Sequence, residues 1–167
     1  MVTGVICEYN PFHNGHKKQL DIIRKDDPDG TVVCIMSGNY VQRGSPAIVD
    51  KSHRAKAAIL SGADLVLELP ITAVLSSAEG FAAGGVSLLS GLGVVDELCF
   101  GSEEGDMTLF HIIAEILEKE PAAYREELQQ NLRNGLAFPA ARSQAVKEYL
   151  VQSGCTVDSA KLDTFLS

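Results

Sequence analysis

Four short apolar runs, at residues 2–7, 31–36, 63–69 and 94–100, recur through the first hundred positions, each rich in Val, Ile or Leu and none with the alternation of a half-exposed strand. Strands of this kind belong to parallel sheets covered on both faces. Helical patterns fill the intervals at 15–25, 50–61 and 77–90, the last with enough Ala and Gly to pack closely on its neighbours. An alternating βαβα order needs crossover connections, which are right-handed and put helices on both sides of the sheet. The sequence therefore predicts an α/β fold with a doubly wound, Rossmann-like parallel sheet, in which ligands collect outside the carboxyl ends of the strands. Three of the predicted strand ends are polar and turn-prone: Glu8-Tyr9-Asn10, Ser37-Gly38-Asn39-Tyr40 and Gly101-Ser102-Glu103.

The first of these ends continues as Pro11-Phe12-His13-Asn14-Gly15-His16-Lys17 into the first helical segment. A strand that ends in a tight turn and feeds a helix N-terminus aims free N–H groups and partial positive charge at one point, where an anion fits. Pro11 biases Asn10 toward extended backbone, and Gly15 lets a ligand approach the main chain closely. His13 and His16, three apart, face one turn, and two imidazoles on one anion suit phosphoryl chemistry. The competing reading is that the histidines merely cap the helix start. The buried-strand pattern before them and the amphipathic helix after them favour a nucleotide-phosphate site, because context is what confirms a short motif. His13 and His16 are thus the candidate catalytic pair.

Charge limits the partners. The 167 residues hold 14 Lys and Arg against 22 Asp and Glu, a net charge of −8. Phosphate neutralisation by cations dominates nucleic-acid affinity, so this balance argues against a generic nucleic-acid binder. All eight Lys and Arg of the first hundred residues lie between Lys17 and Lys56, while 57–118 has none and carries ten acids. A solvated helix face bearing Lys18 and Lys25 would account for the cluster; so would an electropositive mouth around a polyphosphate. Arg43 is the candidate second anion contact, to phosphate or RNA backbone, because guanidinium is a planar multi-donor fork. Lys51 and Arg54, at helical spacing, either share a face toward that site or are surface charges. Asp64, Glu68 and Glu79 invite a magnesium site, yet magnesium is often held mainly by the phosphates themselves, and no residue is assigned as a metal ligand.

Cys7, Cys34, Cys99 and Cys155 lack metal-site spacing, and the first three sit in apolar runs where a thiol acts as a small hydrophobe, as expected in a reducing compartment. No stretch approaches the roughly 20 apolar residues of a membrane span and no basic leader opens the chain, so a cytoplasmic protein that does not meet the membrane is expected. Past Ser102 the pattern is helical only. Residues 106–119 put Leu109, Ile112, Ile113, Ile116 and Leu117 on one stripe; Pro121 can start a second helix bearing Tyr124, Leu128 and Leu132, and Gly135 can stop it. A third segment runs from Phe138-Pro139 to Leu150. Residues 1–150 are expected to form one ATP-binding domain with a helical extension, followed by a tail at 151–167.

Several stretches together resemble the N-terminal part of the tRNA(Met) cytidine acetate ligase family, a branch of the HIGH-motif nucleotidyltransferase-like superfamily. They are EYNPFHNGH at 8–16, MSGNYVQRGSPAIVDK at 36–51, DLVLELP at 64–70, SAEGF at 77–81, FGSE at 100–103 and FPAARS at 138–143. The resemblance implies a two-step reaction: acetate and ATP, with Mg²⁺, give acetyl-adenylate and pyrophosphate, and the acetyl group passes to N4 of the wobble cytidine of elongator methionine tRNA. It also implies that Cys7, Glu8, Tyr9, Asn10, Pro11, Phe12, His13, Asn14, Gly15, His16, Lys17, Lys18, Gln19 and Leu20 form the ATP-binding strand, turn and helix start, with Gly101 a further nucleotide contact. Family members are considerably longer, so the resemblance implies an N-terminal fragment or a shortened relative, with most tRNA contacts elsewhere. Two other readings stay open on the residues: a small-metabolite adenylyltransferase of the same superfamily, and a non-catalytic nucleotide-binding module.

The chemistry of the motif agrees with acid activation. A carboxylate is already an ionised nucleophile at neutral pH, so attack on the α-phosphate needs positioning and charge stabilisation more than a general base. His13 and His16, with the helix amides, are expected to supply that stabilisation as pyrophosphate departs.

Overall fold

The structure, a computed structural model, describes residues 1–102, 107–155 and 162. Glu103, Asp106 and most of the predicted tail lie outside the described residues. The chain divides into two compact units, Met1–Gly101 and Ser102–Ser167. The division falls where the alternating pattern gives way to helices.

In the first unit the order is β1 (Val2–Cys7), α1 (Asn14–Asp26), β2 (Thr31–Ser37), α2 (Lys51–Leu60), β3 (Leu65–Leu69), α3 (Ile71–Val74), α4 (Ala78–Gly91) and β4 (Glu97–Leu98). The strands form one parallel sheet in the order β3-β2-β1-β4. Successive β2 residues supply opposite faces. Val32, Cys34 and Met36 pack with Val5, Leu20, Ile23 and Ala58 beneath α1 and α2. Val33 and Ile35 pack with Leu69, Val74 and Leu89 beneath α3 and α4. Both faces are covered, which explains why β2 is apolar throughout. Two expectations need correction: Leu65 and Glu68 of β3 are exposed, and β4 pairs over only two residues, both exposed. These strands form the two edges of the sheet, where cover is thinnest.

The chain steps from β1 outward to β2 and β3, then returns to the far side of β1 as β4. That reversal is a topological switch point, and it opens a crevice at the carboxyl ends of β1 and β4. Close packing of α4 narrows the layer there: a Cβ on Gly85 would lie 2.6 Å from Ile6 Cδ1 of β1.

The second unit contains α5 (Met107–Lys119), α6 (Ala122–Arg133) and α7 (Phe138–Gln152). Leu109, Ile113, Ile116, Tyr124, Val146 and Leu150 form its core, and Gly135 at φ 87° ends α6 as its position predicts. Among the described residues no helix is long and apolar enough to cross a membrane.

Candidate functional site

The turn after β1 is built on Tyr9. Its backbone takes φ 49°, a conformation that bulky residues rarely adopt and that costs of order 1–3 kcal/mol where it occurs. The ring is 1% exposed, with its hydroxyl 3.6 Å from Cys34 Sγ. It meets Phe12 edge-on at 4.9 Å and lies tilted under His16 at 4.8 Å. Such aromatic pairs add roughly 0.5–1.5 kcal/mol each. Tyr9 therefore reverses the chain and supports an imidazole from below. Burial holds its hydroxyl, and the Cys7 thiol, far above their ordinary ionisation ranges, which leaves neither as a base.

Both histidines cap the helix and also line the cavity. His13 is the N-cap of α1, and its Nδ1 accepts the N–H of Gly15 at 3.0 Å. His16 Nδ1 accepts the N–H of His13 at 3.3 Å, and the two rings stack 3.7 Å apart. Each Nδ1 acts as an acceptor, so the ring proton resides on Nε2 and each imidazole is left as a neutral donor. Burial, then the nearby His13, pulls the pKa of His16 below its ordinary value, which also favours the neutral ring. Two of the N–H groups expected to receive an anion are thus consumed by the imidazoles, and Nε2 takes over as the available donor. At Gly15 a Cβ would lie 2.9 Å from His13 Cε1, so the glycine makes room for the capping ring.

The rings open onto a cavity of about 690 Å³ at the β1/β4 crevice, within the size range of small-molecule sites. Of the candidate residues, Cys7, Glu8, Tyr9, Asn10, Pro11, His13, His16, Gln19 and Gly101 line it. Six others do not. Leu20 is fully buried in the core under α1, and Phe12 packs against that core. Lys17 pairs with Asp21 at 2.6 Å, Asn14 and Lys18 are exposed on α1, and Gly15 lies behind the His13 ring. Gln19 reaches across the crevice, its Nε2 3.5 Å from the carbonyl of Cys99. Phe81 and Phe100, which sequence reasoning did not assign, add aromatic surface to the lining. Both lie in the stretches that carried the family resemblance, and that was the one signal pointing to them.

The basic cluster does not converge on the cavity. Arg24 pairs with Asp64 and Lys51 with Glu68, the latter at 2.6 Å. Lys25 and Lys56 are exposed away from the lining. Arg54, read either as facing the ligand with Lys51 or as a surface charge, is 1% exposed and holds backbone instead. Its guanidinium donates to the carbonyls of Val49 at 2.9 Å, Glu8 at 2.5 Å, Ser37 at 3.1 Å and Gly38. It ties the ends of β1 and β2 together below the site. Only Arg43, among the described residues, brings a Lys or Arg side chain to the cavity lining.

Asp64 and Glu68 are ion-paired, and Glu8, the one carboxylate in the lining, has Oε1 engaged by the N–H of Gln42 at 2.6 Å. No group of three metal-ligating side chains occurs among the described residues. Any magnesium entering with a nucleotide would be held chiefly by phosphate oxygens, as part of the substrate.

Known proteins share this sequence and architecture. A family model for the HIGH nucleotidyl transferases matches residues 1–164. The tRNA(Met) cytidine acetate ligase of Acetivibrio thermocellus is 51% identical over 152 residues, covering 91% of this chain and 37% of that protein. Its Clostridium acetobutylicum counterpart is 50% identical over 157 residues, covering 94% and 39%. The chain thus spans about two fifths of the length of these relatives. The crystal structure of Thermotoga maritima TmcAL bound with alpha-thio ATP superposes with a TM-score of 0.91 at 39% identity, covering 99% of this chain and 40% of that one.

Proposed function

Because this chain belongs to the HIGH nucleotidyltransferase family, we propose that its cavity binds ATP and activates acetate as acetyl-adenylate, for transfer to N4 of the wobble cytidine of elongator methionine tRNA in the cytoplasm. The observation that carries the reading is the stacked His13–His16 pair, each ring with Nδ1 spent on the helix start, at the mouth of the switch-point cavity. Names of relatives support the substrates: two proteins about half identical to this chain are tRNA(Met) cytidine acetate ligases, and a close structural neighbour holds an ATP analogue.

In the first step an acetate oxygen attacks the α-phosphorus, the bond to the β-phosphate oxygen breaks, and pyrophosphate leaves. Neutral imidazoles donating from Nε2 meet the charge that develops on the phosphate oxygens. Preorganised donors in a water-poor cleft act this way without reorganising during the reaction. The aromatic surfaces of Phe81 and Phe100 give the cavity an apolar side suited to a base. In the second step the cytidine amine attacks the acyl carbon, the bond from that carbon to the phosphate oxygen breaks, AMP departs and the nitrogen gives up a proton to solvent.

The test is acetate-driven exchange of labelled pyrophosphate into ATP by the full-length protein. His16→Ala should slow exchange on the order of 100-fold or more, as for loss of one preorganised donor. Undiminished exchange would refute the assignment. Transfer of AMP to a small metabolite, with no acyl-adenylate, would instead identify a metabolite adenylyltransferase, and ATP binding without any exchange a nucleotide-binding module.

A further inference from the structure

The imidazoles are neutral donors, so a polyphosphate in this cavity still needs a fixed positive charge. Arg43 is the one Lys or Arg among the described residues that reaches the lining, and how it is held is visible. It sits at the tip of a small hairpin between β2 and α2. The Ala47 N–H donates to the Asn39 carbonyl at 2.9 Å, Tyr40 and Pro46 form an antiparallel bridge, and the Val41 N–H donates to the Ser45 carbonyl at 3.0 Å. Gly44, at φ 80°, closes the turn.

Two side chains from the end of β1 fasten this hairpin on either side of its tip. Glu8 Oε1 accepts the N–H of Gln42 at 2.6 Å, and Asn10 Oδ1 accepts the N–H of Ile48 at 2.7 Å. The Gln42 side chain adds a third tie, donating to the Ser76 carbonyl at 3.2 Å. Glu8 is itself fixed, because Arg54 grips its carbonyl. Arg43 is exposed and has no hydrogen-bond partner among the described residues, so its guanidinium is held at the cavity with its donors uncommitted.

From this arrangement we infer that Arg43 is the fixed cation that receives the nucleotide's phosphates, and that Glu8 and Asn10 are positioning residues that hold its hairpin over the cavity. The inference rests on the ATP-site reading above and changes the part played by two residues in it: Glu8 and Asn10 act through Arg43 rather than on the ligand. A carboxylate beside a polyphosphate would repel it, whereas a carboxylate that fastens the opposing cationic loop favours its capture.

Calorimetric titration of the full-length protein with MgATP and with adenosine tests this. Arg43→Ala should weaken MgATP binding by about 10-fold to 100-fold, the value of a charge-assisted hydrogen bond, and leave adenosine binding in place. Glu8→Ala and Asn10→Ala should each weaken MgATP binding as well, and Glu8→Gln should recover most of the loss, because an amide oxygen accepts the same N–H. In an Arg43→Ala background neither latch substitution should matter by more than about 2-fold, since residues acting through one group are not additive. Additive losses would make Glu8 or Asn10 a direct contact and overturn the inference; so would an Arg43→Ala protein with unchanged MgATP affinity. Should Glu8→Ala fail to fold, the Asn10→Ala cycle decides alone. Absence of MgATP binding in the unsubstituted protein would refute the ATP-site reading itself, a different result from any of these.

Discussion

Arg54→Met isolates the element on which the site stands. Methionine keeps most of the buried stem and removes the guanidinium, leaving four carbonyls without their donor. The bonds to Ser37 and Gly38 are fully buried, while those to Glu8 and Val49 are partly reached by water. A stranded buried carbonyl costs about 1–3 kcal/mol, so the first two together cost about 2–6 kcal/mol. Removing a desolvated cation returns part of that, perceptible in the way burial pulls the Arg54 pKa below its ordinary value. The net expectation is a loss of about 2–3 kcal/mol, well short of the 5–15 kcal/mol that typically holds a domain together. Native-state hydrogen exchange at the β1 and β2 amides measures this for the first unit alone. A loss below about 1 kcal/mol would refute the reasoning, and so would MgATP affinity unaltered in the folded variant, since the released Glu8 would no longer steady the hairpin.

Much of this is legible in the residues. The apolar runs locate every strand among the described residues, two-sided burial explains the lack of alternation in β2, and the HxGH segment locates the switch-point turn. Capping residues at Asp50 and Ser77 set helix starts within a residue of those expected. The failures have physical causes. Arg54 reads as a solvated charge, facing either the ligand or the surface, because guanidinium is rarely buried. Its spacing of four from Ala58, which is fully buried, puts it on the apolar stripe of α2, and that signal was available. The family resemblance implies Glu8 and Asn10 as ligand contacts, and both line the cavity, but the backbone bonds that they also make were not legible. Their partners, Gln42 and Ile48, lie 34 and 38 residues on, and no local pattern encodes a bond at that separation. The two readings of the basic cluster stay open in the sequence for the same reason: Asp64 and Glu68, which neutralise Arg24 and Lys51, come from β3 and its approach. The role of Gly15 also turns on geometry, since sequence does not disclose that the group approaching it is a side chain of the same turn.

The histidine pair supports two further tests. His16 is held below its ordinary pKa of 6.5, first by burial and then by His13, so the folded chain takes up that proton less readily than the unfolded one. Its contribution to stability is therefore complete above the unfolded value and is lost as pH falls through about 6.5 toward the lower folded value. Urea midpoints should fall between pH 7.5 and 5.5 and fall less in His16→Gln; an equal fall in both would refute the assignment. Gly15→Ala sets two effects against each other. Alanine favours the helix by up to about 1 kcal/mol, but its Cβ would meet His13 at 2.9 Å on Cε1 and 3.1 Å on Nδ1. His13 is exposed, so the ring can turn aside, but only by leaving His16, stacked on it at 3.7 Å. Stability should consequently change by less than about 1 kcal/mol while MgATP affinity falls about 10-fold, as expected when one donor of a phosphate site is displaced. Calorimetry and urea unfolding on the same preparation separate the two. Unchanged affinity would mean that His13 keeps its place without the glycine, and that position 15 has no need to be left bare for the capping ring.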